Sequence, residues 1–234
     1  MPGFDAFDEV LDYPETASGG LSIAYLSAYP PRECGLATYC EDLLTATLTA
    51  PAVGEPIVIA MEDRAHHYDY PWPVVGTVED REESEYEAAA QFINESPAGI
   101  VSIQHESGIF GGPQCRGLCR FLEDVTKPIV TTFHAVLPSP SPSERAMIGK
   151  LARRSDRVVV FNGLAEAVLQ REYRLGRTKI ALVHHGRRML WPTVGARYVK
   201  VFGDVLREQQ ANEPEAAYAR TSAECEYIAP RGIQ

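Results

Sequence analysis

The chain has no apolar run near the roughly 18–20 residues that a membrane span needs. Its first twenty residues, "MPGFDAFDEVLDYPETASGG", lack the basic and apolar regions of a signal peptide. Basic residues are scarce: 22 Lys and Arg stand against 32 Asp and Glu, a formal charge of −10. That deficit argues against broad nucleic-acid binding, which depends on a basic footprint that displaces counterions, but it leaves room for a small local phosphate site. Cysteine is sparse and odd in number, five scattered residues in 234, which fits reduced thiols in a cytoplasmic protein. Cys115 and Cys119 lie four apart with no second Cys/His pair at zinc-site spacing, so they read as structural thiols. His66-His67 lies in the polar, proline-bounded "EDRAHHYDYPWP" and reads as a solvated loop. The chain also lacks GxGxxG, P-loop, CxxC and HExxH patterns and a Ser-His-Asp order. Hydrolase and metalloprotease chemistry therefore has little support.

What is present is an alternation of apolar runs with longer helical patterns. Hydrophobic residues make up 45% of the chain, enough for a sizeable core. Strands are expected at 21–27, 55–62, 73–78, 99–105, 127–134, 157–162 and 178–185. Helices are expected at 35–50, 82–96, 112–125, 141–155 and 163–173. Pro113 sits near the first turn of the third helix. Ser141 and Glu144 form an S-x-x-E box at the fourth, with Ser143 as an alternative cap. Strands separated by helices require parallel pairing through right-handed crossovers. The runs "IVIA", "IVTTF" and "VVVF" are apolar at successive positions, as strands covered on both faces are. The expected fold is α/β: a Rossmann-like doubly wound, mainly parallel sheet with helices on both faces. Residues 1–20 read as a flexible leader and 209–234 as a loose polar tail.

Ligands of open parallel sheets bind beyond the carboxyl ends of the strands, and unusual residues collect at three such ends. The first strand is followed by "SAYPPRECGLATY". Gly35 stands where a helix starts, so free N–H groups there can hold a phosphate or a sugar hydroxyl, and Arg32 can add charge. A plain strand–helix turn with a proline stop is the other reading. The middle strand ends in "QHESGIFGGP", where His105 and Glu106 precede Gly108, Gly111 and Gly112. Glycine allows close backbone approach to a ligand, whereas the structural alternative is a helix-capping loop. The next strand ends in "TTFHAVLPSPSP", and the imidazole of His134 can bind a sugar hydroxyl or stabilise charge. Asn162 reads as a helix N-cap, and Arg153-Arg154 as a solvated helix end.

Taken in order, "IAYLSAYPPRECGLATY", "VSIQHESGIFGGP", "KPIVTTFHAVLPSPSP", "SDRVVVFN" and "KIALVHHG" resemble the N-terminal domain of family 4 glycosyltransferases of the GT-B fold, over about residues 21–186. The resemblance implies transfer of a sugar from an activated donor, usually a nucleotide sugar, with retention of configuration, in a cleft between two Rossmann-like domains. The first domain mostly binds acceptor, a sugar or phospho-sugar here. By that resemblance Gly35 belongs to the glycine-bearing loop facing the cleft, and His134 matches the histidine near the transferred sugar. His105 and Glu106 match cleft-lining positions. No metal or resident cofactor is implied; the nucleotide sugar is a co-substrate.

The chain departs from the family at "HHGRRMLWP". Family members continue past "HG" into a donor-binding domain, whereas here Arg187 follows at once. Residues 187–208 instead resemble the family's C-terminal crossover helix, with Trp191-Pro192 at its start and Val194, Tyr198, Val201, Phe202 and Val205 as its apolar stripe. The expectation is an acceptor-side half whose donor domain comes from a partner chain or a homodimer. The alternatives are a non-catalytic sugar-binding module and an inactive truncated form.

Overall fold

The structure, a computed structural model, describes residues 20–50, 53–63, 67–112, 115–184 and 190–225, with side chains described through 212. Residues 1–19 of the expected leader, His66, Pro113, the seam at Gly186-Arg187 and the last residues of the tail lie outside the described residues.

Seven strands form one all-parallel sheet: β1 (Ile23–Ser27), β2 (Ile57–Glu62), β3 (Val74–Glu79), β4 (Ile100–His105), β5 (Ile129–Phe133), β6 (Arg157–Val160) and β7 (Ile180–Leu182). Their order is β3-β2-β1-β4-β5-β6-β7, so the strand order reverses between β1 and β4. The helices are α1 (Gly35–Leu48), α2 (Glu83–Glu95), α3 (Arg116–Asp124), α4 (Pro142–Arg154), α5 (Gly163–Tyr173) and α6 (Trp191–Cys225). Strands β1, β2, β4 and β5 are buried at every position, as their unbroken apolar runs require.

Right-handed crossovers decide which face each helix covers. The β1-to-β2 connection runs outward one way and puts α1 on one face. The connections through α2, α3, α4 and α5 run the other way and put those helices on the opposite face. With α1 alone, the first face of β4 to β7 would be bare. Helix α6 fills that place: Val194, Tyr198, Phe202 and Val205 are buried against Ile23, Ile100, Val130 and Val159. Each side chain so buried stabilises the fold by about 1.5–3 kcal/mol relative to exposure. Close approach between α6 and α1 depends on Gly195, where a Cβ would lie 2.5 Å from the Ala46 carbonyl oxygen.

Local chemistry sets the helix ends. Ser141 accepts from the Glu144 N–H at 3.3 Å while Glu144 accepts from the Ser141 N–H at 2.8 Å, completing the expected capping box. Asn162 caps α5 by accepting from the Ala165 N–H at 2.9 Å. Helix α3 starts at Arg116, later than expected, because Cys115 before it takes a left-handed conformation with φ 39°. Arg154 is a correction to the solvated reading. Its guanidinium donates to the Leu122 carbonyl at 3.0 Å and the Val125 carbonyl at 2.5 Å, satisfying orphan groups at the end of α3. Helix α6 also continues through residues 209–225, a stretch expected to be loose; its Ala, Glu, Gln and Arg content favours helix where no apolar stripe does. Among the described residues no helix is long and apolar enough to cross a membrane.

Candidate functional site

The carboxyl ends of β1, β4, β5 and β6 meet where α1 and α6 both begin. His134 follows β5 on the α1/α6 face. Its ring packs edge-on against Tyr39 of α1 at 4.6 Å and against Phe161 after β6 at 5.2 Å. Tyr39 in turn packs against Trp191, the first residue of α6, at 5.2 Å. A hydroxyl chain ties the layers: Tyr39 Oη lies 3.0 Å from Tyr198 Oη, which lies 3.0 Å from Thr132 Oγ1 of β5. Burial raises the pKa of both tyrosines, so both are neutral hydrogen-bonding groups. The His134 Nε2 is 3.1 Å from Oε1 of Gln104, a fully buried side chain on β4 that sequence reasoning passed over. The cue in the sequence was the alternation of polar Ser102 and Gln104 with apolar Val101 and Ile103.

Gly35 opens α1 one turn before Tyr39, and a Cβ there would meet nothing within 4 Å. The start of α1 lies at the same edge as His134, where a helix N–H suits an oxygen ligand. Cys34 caps this helix weakly, its sulfur accepting from the Ala37 N–H at 3.4 Å. Arg32 is already engaged. It donates to the Met61 carbonyl at 2.7 Å and pairs with Asp63 at 3.5 Å, stapling the loop after β1 onto the end of β2.

His105 shares the carboxyl edge with His134 but not its face. In the β4/β5 register Gln104 stands beside Thr132 and His105 beside Phe133, so alternation sends His105 toward α3 and α4. It stacks on Phe110 at 5.7 Å and meets Phe133 edge-on at 5.5 Å. Neither ring nitrogen has a protein hydrogen-bond partner. Burial lowers its pKa from 6.5 to about 4, so it is neutral near pH 7. With Gly112, Cys115 and Glu144 it lines a cavity of about 10 Å³, the room one water needs. A larger cavity of about 270 Å³ lies beside it, between Asp80, Arg81, Gly111 and Arg116. Neither cavity is lined by His134.

Glu106 is exposed just past β4. Gly111 and Gly112 have φ of 75° and 86°, and a Cβ on Gly111 would sit 2.3 Å from the Asp80 carbonyl oxygen. These glycines thus let the loop turn against the end of β3. Cys115 donates to the Gly112 carbonyl at 2.6 Å, and Cys119 lies 3.6 Å from the Met147 sulfur. His67 sits 3.2 Å from Glu62. Among the described residues no group of three His, Cys, Asp or Glu side chains is disposed to hold a metal ion.

The chain is similar in structure to a glycosyltransferase. That protein, from Rickettsia africae ESF-5, is 14% identical at a TM-score of 0.49, with 72% of this chain and 44% of that one covered. This chain therefore spans less than half of that protein's length. No family model and no curated protein sequence matches it.

Proposed function

We propose that the chain is a glycosyltransferase-family protein that supplies the acceptor-side half of a site. The reaction is retaining transfer of a sugar from a nucleotide-sugar donor to a sugar or phospho-sugar acceptor, with the donor-binding domain contributed by a second chain or a second copy. The observation that carries this reading is the packing of His134 against Tyr39, one turn into α1, at the carboxyl edge of the sheet. It coincides with the ordered set of segments that resembles family 4 glycosyltransferases.

The residues divide the work chemically. The N–H of Gly35, the exposed first residue of α1, donates to a hydroxyl or phosphate oxygen. His134 offers an imidazole to a sugar hydroxyl, held in one orientation by Tyr39 and Phe161. Glu106 can accept from further hydroxyls. Transfer also requires groups that stabilise the departing diphosphate and exclude water, which is the work of the opposite half of a cleft.

Incubation of the full chain with UDP-glucose and GDP-mannose tests this directly. The expected result is no donor hydrolysis by the chain alone, with binding of hexose phosphates seen by saturation-transfer NMR. Turnover without any partner would contradict the half-site reading. Binding that no partner chain converts into transfer would favour the sugar-binding module.

A further inference from the structure

His105, the last residue of β4, is buried with both ring nitrogens lacking a protein partner. A neutral imidazole carries one donor and one lone pair, and buried groups of that kind are bonded, in the great majority of cases, to protein or to ordered water. The rings around it offer carbon only: Phe110 stacks at 5.7 Å and Phe133 packs edge-on at 5.5 Å. The imidazole lines a cavity of about 10 Å³, shared with Ser107 and Gly112 of the following loop, Cys115 before α3, and Glu144, Met147 and Ile148 of α4. That volume admits one water and excludes a sugar or a phosphate. Two of the lining residues satisfy each other: the Gly112 carbonyl accepts from the Cys115 N–H at 3.2 Å and from its thiol at 2.6 Å. His105, the Ser107 hydroxyl and the Glu144 carboxylate remain as polar lining, and an internal water needs about two to four such partners.

We propose that one internal water occupies this cavity, hydrogen-bonded to His105 and bridging it to Ser107 and Glu144. The molecule joins the end of β4, the loop after it and the first turn of α4, at a point where the His105 side chain makes no hydrogen bond to protein. Glu144 suits the role. The Ser141 N–H donates to its Oε2 at 2.8 Å and Ser141 holds its carboxyl below the usual pKa, so near pH 7 it is ionised and offers further lone pairs. His105 is neutral there, which leaves the ring both a donor and an acceptor for water. The site lies on the α2–α5 face, so it is independent of the sugar contact proposed for His134.

Oxygen-17 magnetic relaxation dispersion on the full chain at pH 7 counts long-lived waters through their oxygen, so exchanging Ser107 and His105 protons do not contribute. The wild type is expected to hold one more such water than His105→Leu, which removes both ring nitrogens. Equal counts in the two folded proteins would overturn the proposal. Water–protein NOE and ROE spectra then place the molecule. The methyl groups of Met147 and Ile148 line the cavity and carry no exchangeable protons. They are expected to show cross-peaks at the water frequency with NOE and ROE of opposite sign, the signature of a water that tumbles with the protein. These cross-peaks should persist in Ser107→Ala and vanish in His105→Leu. If His105→Leu fails to fold, the wild-type spectrum still decides, because methyl groups without such cross-peaks would show that no water is held there. No sugar is present in these experiments, so their outcome stands apart from that of the binding experiment.

Discussion

The two faces of the sheet treat the histidines at their carboxyl edge differently. On the α1/α6 face, His134 ends a hydrogen-bonded chain through Gln104 to Ser102, beside a second chain from Thr132 to Tyr198 to Tyr39. On the α2–α5 face, His105 is buried with neither nitrogen bonded to protein and is neutralised by desolvation. A joined network holds a side chain in one geometry, which suits a ligand contact. An isolated buried imidazole next to a one-water cavity suits packing. The lesson is that two histidines at one sheet edge are separated by a single step of the strand pleat.

The comparison is most strongly tested through the core beneath each face. Phe202→Ala on the α6 side and Phe121→Ala on the α3 side should each cost about 3–5 kcal/mol in urea unfolding. Both rings are fully buried. A cost below about 1 kcal/mol for Phe202 alone, well outside the range for a core ring, would mean that α6 is not an integral cover.

Next comes pH. The folded pKa of His105 is about 4 against an ordinary 6.5. As pH falls below 6.5 the unfolded chain takes up the proton first, so stability is full above that value, declines toward pH 4 and levels below it. Between pH 7 and pH 4 the wild type should lose roughly 3 kcal/mol more than His105→Leu does. Equal losses would show that His105 is not buried neutral in the folded state. Smaller again is Gly195→Ala, expected to cost about 1–3 kcal/mol by overpacking α6 against the α1 backbone. Thermal unfolding would measure it, and a neutral result would show that the two helices can part without penalty.

Much of the fold was legible because apolar runs and helical periods mark elements through the physics of burial. All seven strands and the five crossover helices appear where the patterns place them, with ends trimmed by one to three residues at most positions. The covering role of α6 was also readable, from the stripe Val194, Tyr198, Phe202 and Val205. What was not legible depends on register and on contacts between distant elements. Finding Gln104 as the partner of His134 required knowing that Gln104 stands beside Thr132 in the β4/β5 pairing. Arg154 looked solvated because nothing local says that the end of α3 lies next to it. Gly195 carried no turn signal, since its role is a helix–helix approach fixed by tertiary packing. Helix α6 beyond 208 rests on propensity, which is weaker than periodicity as a sequence cue.

The claim at the centre of this account is that sugar recognition belongs to the α1/α6 face through His134. Calorimetric titration of a hexose phosphate into the wild type, His134→Ala and His105→Leu compares the faces directly. The account predicts that His134→Ala weakens binding by about tenfold, the equivalent of one charge-neutral hydrogen bond of about 1.4 kcal/mol, and that His105→Leu leaves it unchanged. Loss of binding in His105→Leu with full affinity in His134→Ala would contradict it.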